Sequence, residues 1–459
     1  MNFSLLFPNA ESSRGRPAGV FAFRDLALDK ICARFSQIQS ETDTFLLVLS
    51  EQGLTAETIT YRQEIFTDFA EKPRLLSDLR TLFGGYDSLR ADWAELAHSS
   101  GGYSALKVTA AFARRTCAHF KALSQVLAEY TLNSRGLTAI REYFAKLGAD
   151  SSLAEIAEIA ALFTKDSAED YTWSINAASD EKLRIIHAGV TDVSELEAES
   201  VRKRVLGIFK KKETDLGGIH PELLRNLQNE AIYELYTVLT AITGGIYEFF
   251  RGLSEELTFY AVGLRYSDWL RENGLTLTMP EIGGAIEYKA LSDIYLLTET
   301  VRPIVANDFT LDASESGVLI KGANSSGKTS FLRGLGLAQS FGQAGLPVAA
   351  AFARLIPGSL FTQFSSEEKV FEKNDVAGRF EGEVQDLRGI FDAISGDSLV
   401  LLNETFQTTA YDEAAEALPP ILRELTKPGA RYVLVTHLPT EHFGAVRILT
   451  AENFTISDT

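Results

Sequence analysis

Two cysteines in 459 residues, Cys32 and Cys117, lie far apart and form no CxxC, which argues against both a disulfide framework and a zinc site. Histidine is as sparse: six are scattered along the chain, and His437 with His442 is the one close pair. No metal-ligand cluster is visible in that spacing. Long apolar runs are missing too. None approaches the roughly 18 to 20 residues needed to cross a bilayer, and Met1 to Ala10 has no basic start leading into an apolar stretch. No membrane partner is expected, and the cytoplasm is the expected location. The third deficit is positive charge: 44 Lys and Arg face 62 Asp and Glu, a formal net charge of −18. A nucleic-acid binder usually carries a basic footprint, whereas this overall field repels phosphate. Any DNA contact must therefore come from a local patch.

What is present is ordinary globular composition, 45% hydrophobic and 23% charged, which leaves little room for extended disorder. A chain of 459 residues is too long for one core, so two to four domains are expected. From about Asp25 to Leu270 apolar residues recur three and four apart, as in Glu71 to Ala97 and Tyr103 to Leu132, and predict a helical body. Gly84-Gly85 and the run Ser99 to Gly102 read as interruptions. Near Tyr171 to His187, Tyr171, Trp173 and Ile175 alternate with polar residues and predict a small hairpin. Pro221 to Asn273 predicts one very long helix with a weak point at Gly244-Gly245, either packed as core or serving as a rigid arm. Past Gly274, short strands at Leu275 to Met279 and Ser316 to Ile320 alternate with helices, the pattern of a parallel α/β domain. The expected organisation is a helical core-like region at 1–105, a long helical lever region at 106–273 with a hairpin tip near 171–215, and an α/β domain at 274–459.

The chemistry sits in that last region. Gly322, Ala323, Asn324, Ser325, Ser326, Gly327, Lys328 and Thr329 fit G-x-x-x-x-G-K-[ST], with the apolar strand Gly317 to Lys321 before them and a helix starting near Ser330. In such a loop the glycines let backbone N–H groups close around phosphate oxygens. The helix N-terminus adds partial positive charge, the lysine reaches the β- and γ-phosphates, and the threonine hydroxyl binds magnesium. The implied ligands are ATP and Mg2+. A second strand, Ser398 to Leu402, ends in Asn403 and Glu404: Glu404 is the candidate general base for the attacking water, and Asn403 stands where a magnesium-binding aspartate is expected. An amide can accept a bond from metal-bound water but supplies no charge, so magnesium affinity or turnover is expected to be reduced. A third strand, Arg431 to Thr436, ends in His437, which is either structural or a sensor of the γ-phosphate.

Together these residues resemble the MutS family of DNA mismatch-repair ATPases, a branch of the ABC-type P-loop fold. The resemblance runs through Ile304 to Asp308, Gly322 to Ser330 with Asn324 inside, Phe331 to Arg333 and Gly345 to Ala350. It continues through Asn374 to Arg379, the acidic stretch Glu381 to Asp386, Asn403 to Thr405, and Thr436-His437. Tyr61 to Phe66 with Pro73 and Leu75-Leu76 is similar to the family's core domain, and the long helices to its levers. The resemblance implies a homodimer whose two subunits close on ATP, with Asn374 to Arg379 facing the partner subunit. Three departures accompany it. The core-like segment starts almost at once, so a mismatch-reading domain is not expected; Gly378-Arg379-Phe380 lacks the family's serine; and 22 residues follow His437 (438 to 459), too few for the usual dimerisation element.

For DNA the one concentrated positive stretch is Arg202, Lys203 and Arg204 with Lys210, Lys211 and Lys212, in the region where the family carries lever tips and clamp. A solvated helix face is the alternative. Two functions are therefore expected to compete: a MutS-like ATPase that couples closure to DNA, and a nucleotide-dependent scaffold with slow or no hydrolysis that grips a protein. A cohesin- or recombination-type ATPase is disfavoured, because Ser316 to His437 holds no inserted coiled coil.

Overall fold

The computed structural model describes residues 3–8, 16–17, 24–99, 102–149, 151–168, 171–179, 185–195, 221–299, 303–364, 376–406 and 410–458. A helical N-terminal region is followed by a C-terminal α/β region with mixed sheets. By contacts the chain divides into two units, one of 72–132 and 137–254, the other of 2–71, 133–136 and 255–459. Among the described residues no helix is long and apolar enough to cross a membrane.

In the second unit, helices at Leu28–Cys32 and Gln39–Leu49 precede helix α1 (Ala56–Glu71). The first unit is built on α2 (Pro73–Ser99), α3 (Tyr103–Ala128), the hairpin β1 (Tyr171–Ser179) with β2 (Ile185–Glu195), and α4 (Pro221–Glu272) up to residue 254. Two expected weak points are absent, since α2 runs through Gly84-Gly85 and α4 through Gly244-Gly245. Two glycines cost a helix about 1 kcal/mol each. Packing on either side offsets that. Tyr86 stacks on Phe250 with ring centroids 4.5 Å apart, Phe83 and Phe120 each lie 5.1 Å from the same ring, and Ile246 and Phe249 are buried. The hairpin is longer than the sequence predicts, reaching Glu195, with register shifts at Ser174/Ile175 and Ala178/Ser179. Its start is fixed by the Tyr171 hydroxyl, which donates to the Leu162 carbonyl at 2.7 Å and accepts from the Thr164 and Lys165 N–H groups at 3.0 Å each.

Besides the short pairing of Arg16–Pro17 with Glu51–Gln52, the second unit holds two larger sheets among the described residues. One carries β3 (Glu281–Ile282), β4 (Ile286–Leu291), β5 (Asn307–Leu311) and β7 (Phe352–Leu355) in the order β3-β7-β4-β5, and only β3 and β7 pair parallel. The other carries β6 (Gly317–Gly322), β8 (Leu360–Phe364), β9 (Leu399–Asn403), β10 (Arg431–Val435), β11 (Arg447–Glu452) and β12 (Thr455–Asp458) in the order β8-β9-β10-β6-β11-β12, parallel except for the β11–β12 hairpin. Buried Val, Leu and Ile fill its central strands, as a sheet covered on both faces requires. The expected strand at Leu275 to Met279 is not formed. Thr278 makes a lone bridge to Val348, and Pro280, which has no N–H to give, follows it. Helices α5 (Lys328–Gln343), α6 (Val376–Ala393) and α7 (Tyr411–Thr426) pack on this sheet. Residues 255–272 of α4 also belong to this unit, where Tyr266 stacks on Phe341 of α5 at 4.4 Å. A Cβ on Gly263 would meet Leu346 at 2.8 Å, so the end of the long helix seats closely beside the end of α5.

Candidate active site

Strands β9, β10 and β6 run parallel, so their C-terminal ends open along one edge of the sheet, which is where open α/β sheets receive ligands. Each end carries one of the sequence's candidates.

Strand β6 leads into the loop 322–327. Gly322 and Gly327 have φ of 150° and 100°, values that residues with a Cβ rarely adopt. A Cβ on Gly322 would stand 2.4 Å from the Ala451 carbonyl oxygen, and one on Gly327 would stand 3.1 Å from the Phe454 Cα. Ala323, Asn324 and Ser325 form the exposed tip, whereas the Ser326 hydroxyl is buried with no hydrogen-bond partner among the described residues. The loop delivers the N-terminus of α5. There Lys328 donates through Nζ to the carbonyls of Gly322 at 2.9 Å and Ala323 at 2.8 Å. Burial pushes the Lys328 ammonium below its ordinary pKa, and the Glu404 carboxylate acts in the opposite direction.

Strand β9 ends in buried Asn403, whose Oδ1 accepts a hydrogen bond from the Thr329 hydroxyl at 3.2 Å. The two residues expected to share a magnesium ion are thus in direct contact. Glu404 adopts a left-handed φ of 53° and donates its N–H to the Val435 carbonyl at 2.9 Å, a bond that turns its carboxylate back over the end of β10. Its Oε1 lies 3.1 Å from His437 Nε2. The Tyr411 hydroxyl in turn donates to the His437 carbonyl at 3.3 Å. The structure therefore brings the Gly322 to Ser330 loop, Asn403, Glu404 and His437 to one edge. Arg202, Lys203, Arg204, Lys210, Lys211 and Lys212 lie outside the described residues.

Residues 54–273 match the family described as the MutS2 N-terminal domain. A protein named Endonuclease MutS2 from Thermus thermophilus is 34% identical over 166 residues, covering 36% of this chain and 21% of that protein. Another Endonuclease MutS2, from Streptococcus sanguinis, is 28% identical over 236 residues, covering 48% of this chain and 29% of that protein. The chain thus spans under a third of the length of these curated relatives. The matches support a MutS-family protein. The family match at 54–273 lies wholly before the candidate residues, so their reading rests on the geometry just described.

That geometry gives a place to residues for which the sequence assigned no role. Beside the loop is a cavity of about 360 Å3 whose walls include Leu291, Ile304, Val305, Phe331 and Phe454. Val305 and Phe454 are 43% and 53% exposed, so the cavity offers open apolar surface. Phe454 is set by Asn307. The Asn307 Nδ2 donates to the Phe454 carbonyl at 3.0 Å, its Oδ1 accepts from the Ile456 N–H at 2.7 Å, and the Phe454 N–H reaches the Ser326 carbonyl at 3.0 Å. An asparagine at 453 between two alternating segments was the available signal for this β11–β12 turn, in which Asn453 and Phe454 both take left-handed φ. Asp293, also on the cavity wall, is pushed up to about 7 by burial. Arg333, 3.9 Å away, and the Tyr295 N–H pull its pKa the other way. No sequence pattern marked it, because its burial is created by the packing of α5.

Proposed function

We propose that this chain is a MutS-like ATPase that binds and hydrolyses ATP with magnesium and couples closure of two subunits to DNA through its helices. The observation that carries the proposal is the convergence at one sheet edge of a glycine-cradled loop, the Thr329–Asn403 bond and the Glu404–His437 pair. The residues present fit the ligands. Glycines stand where a Cβ would clash, the buried Ser326 hydroxyl has no hydrogen-bond partner among the described residues, and an apolar cavity beside the loop has room for a base. Lys328 would hold the β- and γ-phosphates, Thr329 and Asn403 the magnesium, and Phe454 and Val305 the base. Bound magnesium would supply charge neutralisation at the phosphates. Glu404 would orient the attacking water and take its proton, with His437 holding the carboxylate. The stack of Tyr266 on Phe341 supports coupling, since it joins the end of the long helix to the helix that begins at Lys328.

Asn403 bears on the rate. Asn403→Asp is expected to raise magnesium affinity, because a carboxylate replaces a neutral amide beside the ion. An unchanged magnesium dependence of ATP hydrolysis would place the ion elsewhere. Asn403 and the charge of −18 also favour a second reading, a scaffold that binds ATP, hydrolyses it slowly and grips a protein. DNA binding separates the two, and the relatives' name, Endonuclease MutS2, supports a nucleic-acid target. Duplex, branched and single-stranded DNA should be titrated with and without ATP across salt. Replacing Lys210, Lys211 and Lys212 together with glutamate should weaken binding uniformly and flatten the salt slope by up to about one unit per lost phosphate contact. If the unaltered protein binds no DNA at low salt, the scaffold is the better reading.

A further inference from the structure

The turn after β9 is held in a conformation that its residues do not favour. Glu404 and Phe406 both take left-handed φ, 53° and 66°, although neither is glycine. Such backbone persists only where its surroundings over-determine it. Two side chains from other elements bracket the turn. Thr405 donates its hydroxyl to the Gln363 side-chain oxygen at the end of β8, and the Phe406 N–H donates to Glu383 Oε2 on α6 at 2.8 Å. The strand that carries Gln363 is itself fixed, because buried Asp25 accepts from the Thr362 hydroxyl at 2.9 Å and the Phe364 N–H at 3.1 Å. Glu383 is buried, and Leu387 and Ile390 further along α6 share one apolar cluster with the Phe406 ring. Helix α6 therefore grips the turn twice, by a carboxylate on its backbone and by apolar packing on its side chain.

We infer that Glu383 is a positioning residue for Glu404: through the Phe406 N–H it fixes the left-handed turn that aims the Glu404 carboxylate toward His437 and the attacking water. The inference rests on the ATPase reading above. A carboxylate accepting a backbone N–H makes a strong, directional bond. Releasing it loosens the Phe406 backbone, and with it the dihedrals of a general base two residues away. Misplacement of a reacting group by about 1 Å costs up to roughly a hundredfold in rate. Because α6 begins at Val376, within the stretch that resembles a partner-facing loop, the same carboxylate joins that helix to the base.

ATP affinity, kcat and melting temperature of the full chain should be measured for wild type, Glu383→Ala, Glu383→Asp and Glu383→Gln. Glu383→Ala is expected to lower kcat by about 10- to 100-fold with ATP affinity within about twofold. Glu383→Asp, one methylene too short for the 2.8 Å bond, should behave alike and serves should the alanine variant fail to fold. Glu383→Gln keeps an acceptor oxygen and should recover most of the rate. A merely structural role would instead move melting temperature and ATP affinity together, with no selective loss of kcat, and would overturn the inference. If Lys328→Ala loses ATP binding while the alanine and aspartate variants turn over at the wild-type rate, only the positioning role fails. If Lys328→Ala keeps its affinity, the nucleotide reading falls and this inference with it.

Discussion

Lys328→Ala is expected to remove measurable ATP binding while leaving the fold intact. The lysine is the one ammonium that the loop holds against its own carbonyls, at 2.8 and 2.9 Å, in the position where β- and γ-phosphates would sit. Burial already disfavours its charge, so the ammonium is held ready for an anionic partner rather than solvated. Removing one member of a buried charge pair costs about 2 to 5 kcal/mol, roughly a thirty- to several-thousand-fold loss of affinity. Stability should change little, because the bonds lost are two contacts at the surface end of α5, whose buried Phe331, Leu332 and Leu335 remain packed. Titration of a fluorescent ATP analogue, with circular dichroism as the folding control, reads both effects. Retention of near-original affinity in a folded variant would remove the loop from the nucleotide account.

Much of this arrangement was legible in the sequence, and the part that was not has a physical cause. Strand, loop and helix around residues 317–330 could be read because each obeys a local rule: an apolar run for a buried strand, glycines for strained backbone, and a helix-forming stretch after them. Helix α5 starts at Lys328 instead of near Ser330, since the lysine and threonine form its first turn. The two glycine pairs misled for the opposite reason. Helix propensity is a weak local preference, and the aromatic cluster around Phe250 outweighs it at both Gly84-Gly85 and Gly244-Gly245. The mostly antiparallel four-stranded sheet and the lone bridge at Thr278 were also hidden, because pairing partners such as Val348 are far along the chain. Within the candidate site, Asn403, Glu404 and His437 could be read from their places at or just after the ends of apolar strands, a local pattern. Phe454 and Asp293 could not, and Asn307 and Glu383 stood inside family-like stretches with no role of their own, because these roles arise only when β5, the β11–β12 turn and α6 meet the loop and the turn after β9.

Glu404→Gln is expected to keep ATP binding and to trap the nucleotide unhydrolysed. The carboxylate acts on the loop that would hold the phosphates through its field at Lys328, where it favours the charged ammonium. It stands at the end of the neighbouring β9, 3.1 Å from His437 Nε2, on a backbone whose left-handed turn is held by the Val435 carbonyl. Glutamine has nearly the same shape and keeps an oxygen facing the histidine, so the turn and the contact should survive. What it lacks is basicity: an amide cannot take a proton from water, and loss of general-base catalysis is worth about 10²- to 10⁴-fold. ATP affinity should therefore stay within a fewfold, or rise slightly because a negative charge near the γ-phosphate has gone, while turnover falls below about one hundredth. The lysine and glutamate variants thus fail at different steps. Lys328→Ala gives no bound nucleotide, whereas Glu404→Gln gives bound ATP without product. If subunit closure follows ATP binding, Glu404→Gln should also accumulate a closed dimer that size-exclusion chromatography resolves and that Lys328→Ala never forms. Wild-type turnover by Glu404→Gln would mean that another group takes the proton and that Glu404 only orients His437.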